Sequence, residues 1–388
     1  MFVAIACTVA AVLAPFLLGG LASLVRADLG FDEAQLGLAV GAFYGASAAS
    51  AVPGGRFAER LGARRALTLG LLLAVSSLVG IALLARTWAQ LLPFLALAGV
   101  SNGITQSAAS LAIARGVRQG RLGIAFAVKQ SAVPSASLLA GLAVPLIGLT
   151  VGWRWAFGGS AVAALALLFA LPNGSAGSGS AASTDRPHTG FHRHELRSLT
   201  MIAVASGCGA VAANSMGAFY VESAASAGHP LAIAGVLLSV GSVSGIVTRL
   251  SLGWLADRFT FDPLRIAGAM MTLGTVGFLV LGHTRGLGWL VVGTVVAFAS
   301  GWGWPGLLQL AVVSEHMRTP AAASGIAHAG ALTGGLLGPI VFGQIVSALG
   351  YRPAWTAVAA VALCGGSLLL FERRGVVRTV APAGAKGG

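Results

Sequence analysis

The stretch Gly55-Arg56-Phe57-Ala58-Glu59-Arg60-Leu61-Gly62-Ala63-Arg64-Arg65 recurs in outline as Gly253-Trp254-Leu255-Ala256-Asp257-Arg258-Phe259. Both copies join a long apolar run to a short charged turn, and both feed the next apolar run. They share glycine, two residues, alanine, an acid, arginine and a large apolar residue, and they lie 198 residues apart. Gly152-Trp153-Arg154-Trp155-Ala156 and Gly350-Tyr351-Arg352-Pro353-Ala354 keep the same offset of 198, and Gly123-Ile124-Ala125 returns as Gly325-Ile326-Ala327 at 202. An offset near half of a 388-residue chain, held at three places, means two homologous halves in parallel order.

Composition fixes the solvent. Hydrophobic residues make up 56% of the chain and charged ones 9%, with a mean hydropathy of +0.86. A soluble domain carries about a quarter charged residues. The apolar runs are long enough to cross a hydrocarbon core of about 30 Å as helices. The 56 glycines fit this setting, because small residues let membrane helices approach closely. Twelve spans are expected, at about 2–24, 35–57, 65–86, 90–114, 122–149, 153–172, 199–221, 231–256, 264–283, 287–313, 321–349 and 353–371. The first lacks a basic leader and a clear cleavage site, so it reads as a span and not a removable signal.

A net charge of +13 invites a nucleic-acid partner, but its placement argues against one. Even-numbered connections and the tail hold 17 basic residues, among them Arg56, Arg60, Arg64, Arg65, Arg258 and Arg318. Odd-numbered connections hold 5: Arg26, Arg86, Arg154, Arg285 and Arg352. The positive-inside rule then puts both termini in the cytosol, in a multi-pass protein of the cell membrane whose basic surface meets anionic lipid.

The expected organisation is an N-terminal six-helix bundle over 1–172, a cytosolic linker over 173–198, a C-terminal bundle over 199–372 and a cytosolic tail over 373–388. The linker is rich in Gly, Ser and Thr, the composition of a flexible tether. Its His188, His192 and His194 lack accompanying Cys or paired acids, so no metal site is expected there. Cys7, Cys208 and Cys364 stand apart in apolar runs and read as small buried hydrophobes, not as a disulfide framework.

With the duplicated turns in these loops of a twelve-span chain, the sequence resembles the major facilitator superfamily over nearly its whole length. The two copies match that family's Gly-x-x-x-Asp-Arg-x-Gly-Arg-Arg signature. Glu59 replaces the usual Asp, and Ala63 stands where Arg is common. The second copy continues as Phe259-Thr260-Phe261-Asp262, so it is expected to be the weaker gate. The resemblance implies an all-α membrane fold of two pseudo-symmetric six-helix halves, with a central cavity that opens to one side at a time. Gly55, Glu59, Arg60, Arg64, Gly253, Asp257 and Arg258 become the candidate gate. A carboxylate at the membrane surface can accept from a neighbouring helix N-terminus and pair with arginine, which biases one of two states.

Substrate chemistry must come from polar groups inside the membrane, where they are costly. All 11 acidic residues fall in connections, the tail or span ends, so a cationic substrate is disfavoured. Lys129 lies eight residues inside span 5 from Arg121, and Arg249 eight residues inside span 8 from Asp257. At 1.5 Å per residue both sit about 12 Å deep. In the family fold these spans face each other, and two uncompensated cations at one depth make an anion site; snorkelling to the headgroups is the plain alternative. Gln130, Tyr44, Asn102, Gln106, Asn214, Trp304, Gln309 and His328 complete the candidate binding set, with Thr105, Tyr220 and Trp302 as further possible liners. His328 could titrate near neutral pH and couple a proton, although a helix-packing histidine is the simpler reading.

No phosphate-binding glycine loop with lysine, catalytic triad or His-Glu-x-x-His motif appears, so neither an enzyme nor a cofactor or metal requirement is expected. Three readings remain: a secondary transporter of a small organic or inorganic anion, a transporter or exporter of neutral or weakly polar compounds, and a membrane sensor that no longer transports. The expected partners are a small-molecule substrate, the bilayer and a coupling ion such as the proton, for a monomeric protein.

Overall fold

The computed structural model describes residues 2–116, 121–171, 193–315 and 320–379. All regular structure among them is helical. The first half comprises α1 (Phe2–Gly20), α2 (Ala22–Leu29), α3 (Glu33–Leu61), α4 (Ala63–Leu83), α5 (Trp88–Gly116), α6 (Leu122–Gln130), α7 (Ala132–Ala143) and α8 (Trp153–Phe169). The second comprises α9 (Arg193–Ser226), α10 (Leu231–Arg258), α11 (Pro263–His283), α12 (Leu287–Val296), α13 (Pro305–Glu315), α14 (Pro320–Leu349) and α15 (Tyr351–Thr379). Ten of the helical stretches are long and apolar enough to cross a membrane; α5 and the shorter α8 fill the remaining two places in the order. The fifth span joins α6, α7 and a π-helical turn at Val144–Gly148, and the tenth joins α12, a π-helical turn at Ala297–Gly301 and α13. Of the expected linker, residues 173–192 lie outside the described residues, and 193–198 open α9; the tail is described to Thr379.

Local chemistry sets the helix ends. The Asp32 carboxylate accepts from the Gln35 amide at 2.8 Å, and the Gln35 side chain accepts from the Asp32 amide at 2.9 Å, a reciprocal cap that starts α3. Asp262 accepts from the Leu264 and Arg265 amides to start α11, whose first residue is Pro263. Gly152 and Gly350 both take left-handed backbone, with φ of 99° and 86°, a conformation that residues with a Cβ rarely adopt. Gly30 and Gly228, a further pair 198 residues apart, do the same at 65° and 94°. The repeat therefore marks equivalent turns.

Small residues set the packing. Large apolar side chains such as Phe169, Val162 and Leu146 are exposed, which suits a lipid solvent. Two seams join the halves: α6 and α7 against α10, and α3 against α14. In the second, a Cβ on Gly37 would stand 2.1 Å from the Pro339 carbonyl oxygen, and one on Gly343 would stand 2.3 Å from that of Glu33. Both contacts lie toward the face bearing the start of α3, opposite the face that carries Gly62 and Arg258. We call the latter the basic face. Near that face the same seam is open: a Cβ on Gly325 of α14 would meet nothing within 4 Å.

Gly37→Val should force α3 from α14 and cost about 1–3 kcal/mol by overpacking. Gly325→Ala should be neutral or stabilising by about 1 kcal/mol, since alanine favours helix. Thermal unfolding of the purified protein in detergent distinguishes them; equal effects at both glycines would refute the one-sided closure.

Candidate functional site

A cavity with about 910 Å³ of empty space, part of it open to solvent, lies between the halves. Its wall runs from Val12, Tyr44 and Asn214, half-way along their helices, toward Ser324 and Val312 near the basic face. Nine of the ten residues proposed from sequence line it: Tyr44, Asn102, Gln106, Gln130, Asn214, Arg249, Trp304, Gln309 and His328. Trp302 joins them. Lys129 does not face the cavity directly. Its ammonium donates to the Ser110 hydroxyl at 2.7 Å, within electrostatic range of His328. Tyr220 is elsewhere: it is 1% exposed, bonded to Thr294 and edge-on to Phe298 inside the second half. Thr105 is also fully buried, between α5 and α4.

Two prolines explain why Arg249 stands where it does. Pro134 has no N–H, so the Gln130 carbonyl four residues earlier loses its helical partner. Pro305 does the same to the Gly301 carbonyl. In hydrocarbon an unpaired carbonyl is expensive, so each must be satisfied by another group. The Trp304 indole donates to Gly301 at 3.1 Å. Arg249 of α10 donates one guanidinium nitrogen to the Gln130 carbonyl in the first half and the other to the Trp302 carbonyl at the break before α13. Its Nε is buried without a partner, and the residue is 3% exposed. Beside the candidate ligand role that sequence gives Arg249, the structure makes it a strut across the two helix breaks.

The amide wall is partly committed. Tyr44 donates to the Asn214 side-chain oxygen Oδ1, a bond that crosses between the halves, and the Asn214 Nδ2 donates to the Ala210 carbonyl at 2.8 Å. Asn102 donates to Ser47 at 2.8 Å, while its own side-chain oxygen is buried and unpartnered. No carboxylate lines the cavity among the described residues.

At the basic face the two copies of the signature differ. The Asp257 carboxylate accepts from the Gly123 and Ile124 amides at 2.8 and 2.9 Å, capping α6 from the other half. Gly253 lies so close to α6 that a Cβ would stand 2.5 Å from that of Ala127. Arg258 stacks over the Trp254 ring at 4.3 Å. By contrast, Gly55 has only Ser107 nearby, Glu59 and Arg60 are exposed, and Glu59 makes no hydrogen bond or ion pair among the described residues. Arg64 is exposed, and its carbonyl accepts from Thr68. The expectation that the second copy is the weaker contact is reversed here. The missing Gly-Arg-Arg tail does not matter to it, because the cap depends on Asp257 and on Gly253 approaching α6.

Sequence reasoning missed the opposite face. Arg26 of α2 donates to Glu33 at 2.8 Å and, across the halves, to Glu222 of α9 at 2.6 Å, with its Nε on the Phe31 carbonyl at 2.9 Å. Burial opposes the charge of Arg26, yet the two carboxylates outweigh it and raise its pKa above the ordinary arginine value. Nearby, Asp28 accepts from Arg154 at 3.0 Å and from the Trp153 indole at 3.2 Å. The available signal was Arg26 itself, one of few arginines on this face.

Residues 4–327 match the sequence profile described as the Major Facilitator Superfamily. Among solved structures, a D-xylose-proton symporter superposes with a TM-score of 0.73 at 15% identity, over 95% of each chain. A bacterial homolog of the human lysosomal transporter Spinster, captured inward-facing and occupied, gives 0.73 at 14% identity over 97% of each. The human organic anion transporter MFSD10 (TETRAN) gives 0.63 at 16% identity, over 95% of this chain and 98% of that one. A search of curated protein sequences finds no match. The chain belongs to the Major Facilitator Superfamily.

Replacing Arg249 by Met should leave the Gln130 and Trp302 carbonyls unpaired, at about 1–3 kcal/mol each. The unfolding temperature without substrate should fall, and Arg249→Lys should recover part of it. An unchanged unfolding temperature in the Met variant would show that the strut contributes nothing.

Proposed function

We propose that this member of the Major Facilitator Superfamily is a secondary transporter of a small organic or inorganic anion, which binds between two six-helix halves that rock around it. The halves are 1–172 and 199–372, tethered through 173–198, with a tail over 373–388. The observation that carries the reading is the charge of the cavity wall: Arg249 stands in it, Lys129 is adjacent, and no described carboxylate does. An anion relieves that uncompensated charge, whereas a cation adds to it. Arg249 offers its unpartnered Nε, and Lys129 needs only to exchange Ser110 for the ligand.

A neutral polar substrate is the second reading. Five carboxamides line the cavity, and both terminal nitrogens of Arg249 are already held by carbonyls. Uptake or efflux in vesicles tests either against a sensor that does not transport.

The seams support rocking. The α6–α10 seam is capped by Asp257 at the basic face, while the α3–α14 seam is packed at the opposite face and open at the basic one. In this reading the state is open to the basic face; Glu59 is the repeat counterpart of Asp257, and Gly325 that of the Gly123 that Asp257 caps. Closure would bring Glu59 to the α14 start as Asp257 is brought to α6. The basic face is cytosolic, the bilayer is the cell membrane and the working unit is a monomer.

Lys129→Gln should weaken anion binding more than tenfold, about 1.4 kcal/mol or more, and leave unliganded stability nearly unchanged. Equal affinity in wild type and variant, measured by calorimetry with the transported anion, would remove Lys129 from the site. For orientation, a cysteine at Ala227 should react with an impermeant thiol reagent in intact cells and one at Thr260 should not; the opposite pattern inverts the topology.

A further inference from the structure

Arg26 in the first half carries two carboxylates on a single nitrogen, one from each half. Glu33 and Glu222 both accept from its Nη1, at 2.8 and 2.6 Å, so the carboxylates are crowded against each other. One guanidinium faces two carboxylates, which leaves the cluster one negative charge in excess. Glu222 is 9% exposed, and its second oxygen, Oε2, is buried without a hydrogen bond of good geometry; Ser23 lies alongside. The Tyr351 hydroxyl of α15 is likewise buried without a partner, within electrostatic range of Glu222 and Glu33. Asp28, two residues beyond Arg26, is held separately by Arg154 and Trp153. His229, in the turn after α9, has a buried unpartnered Nε2.

We propose that this cluster is a proton-binding site, and that one proton taken up at Glu222 releases the contact joining the halves at this face. The proposal rests on the reading that the halves separate here, and not on the charge of the substrate. Crowded carboxylates share protons readily, because neutralising one removes the repulsion. Of the two, Glu222 is the more buried and has an unused oxygen; once protonated, Oε2 becomes a donor for which the Tyr351 and Ser23 hydroxyls are acceptors. Arg26 then keeps Glu33, its partner within the first half. The cross-half ion pair is lost and the intra-half pair survives. The latch needs Glu222 ionised, so it is present at higher pH and lost as pH falls. A proton entering from this side thereby favours opening to this side.

The test needs no substrate. Spin labels at Thr87→Cys and Ala227→Cys, on outer turns of the two halves, are introduced after Cys7, Cys208 and Cys364 are replaced. The inter-label distance is read in lipid nanodiscs from about pH 8 to about pH 5. Wild type should gain a longer-distance population several-fold as pH falls. Glu222→Gln should show that population at pH 8 without further pH response. In Glu33→Gln, Arg26 belongs to Glu222 alone, so opening should move to lower pH. His229→Gln should leave the response unchanged. No pH response in wild type, a response that survives Glu222→Gln, or an unmoved midpoint in Glu33→Gln would each overturn the site. Loss of anion selectivity in the transport assay touches the substrate reading and leaves this result standing.

Discussion

Inside hydrocarbon no backbone carbonyl can be left to water, and this rule shapes the centre of the molecule. Two prolines interrupt helices at the depth where the halves meet. Pro134 orphans Gln130 and Pro305 orphans Gly301, and the tenth span unwinds between Gly301 and Pro305. Broken helices survive only where something else supplies the donors. Here those donors are Arg249 and Trp304, side chains that also line the cavity. The groups that mend the backbone thus also face the cavity. In the proposed function, a substrate that competes for Arg249 would act on two helix breaks at once, one in each half, which would give binding a physical route to conformation.

The rest of the interface follows from where small residues allow contact. Glycines bring α10 against α6 and α7 at both ends, through Gly253 near Ala127 and Gly141 near Ser239. They bring α3 against α14 at one end only, through Gly37 and Gly343. Backbone-to-backbone approach of this kind is stiff, since any added methyl collides with a carbonyl. The result is one seam packed at both ends and one packed at the end away from the basic face and open near it.

The repeat made the fold readable. Its 198-residue offset places Gly152 against Gly350 in equivalent left-handed turns, and composition requires the spans to be membrane helices. The cavity wall was largely legible for the same reason: amides and charges in otherwise apolar helices have few places to go but inward. What escaped was partnership. The burden on Arg249 is written in Pro134 and Pro305, each four residues beyond the carbonyl it orphans, but the sequence does not say which donor answers. The asymmetry between Glu59 and Asp257 is a property of the conformation, so two similar motifs cannot disclose it. Glu222 and Arg26 lie 196 residues apart without a repeat relation, and only the fold brings them together.

Charge is segregated along the molecule, and that division organises how the parts can work together. Cations without carboxylates occupy the central cavity and its edge, whereas carboxylates outnumber arginine in the buried cluster at the far face. An excess of positive charge is stabilised by an anion and an excess of negative charge by a proton. The two deficits lie at different levels of the same interface between the halves. Whatever relieves one need not relieve the other, because Lys129 and Arg249 touch none of the cluster's residues among the bonds described. In the proposed cycle they communicate through halves that pack at one end or the other. Ligand charge and proton would then be felt by the same two-state element without ever sharing a contact.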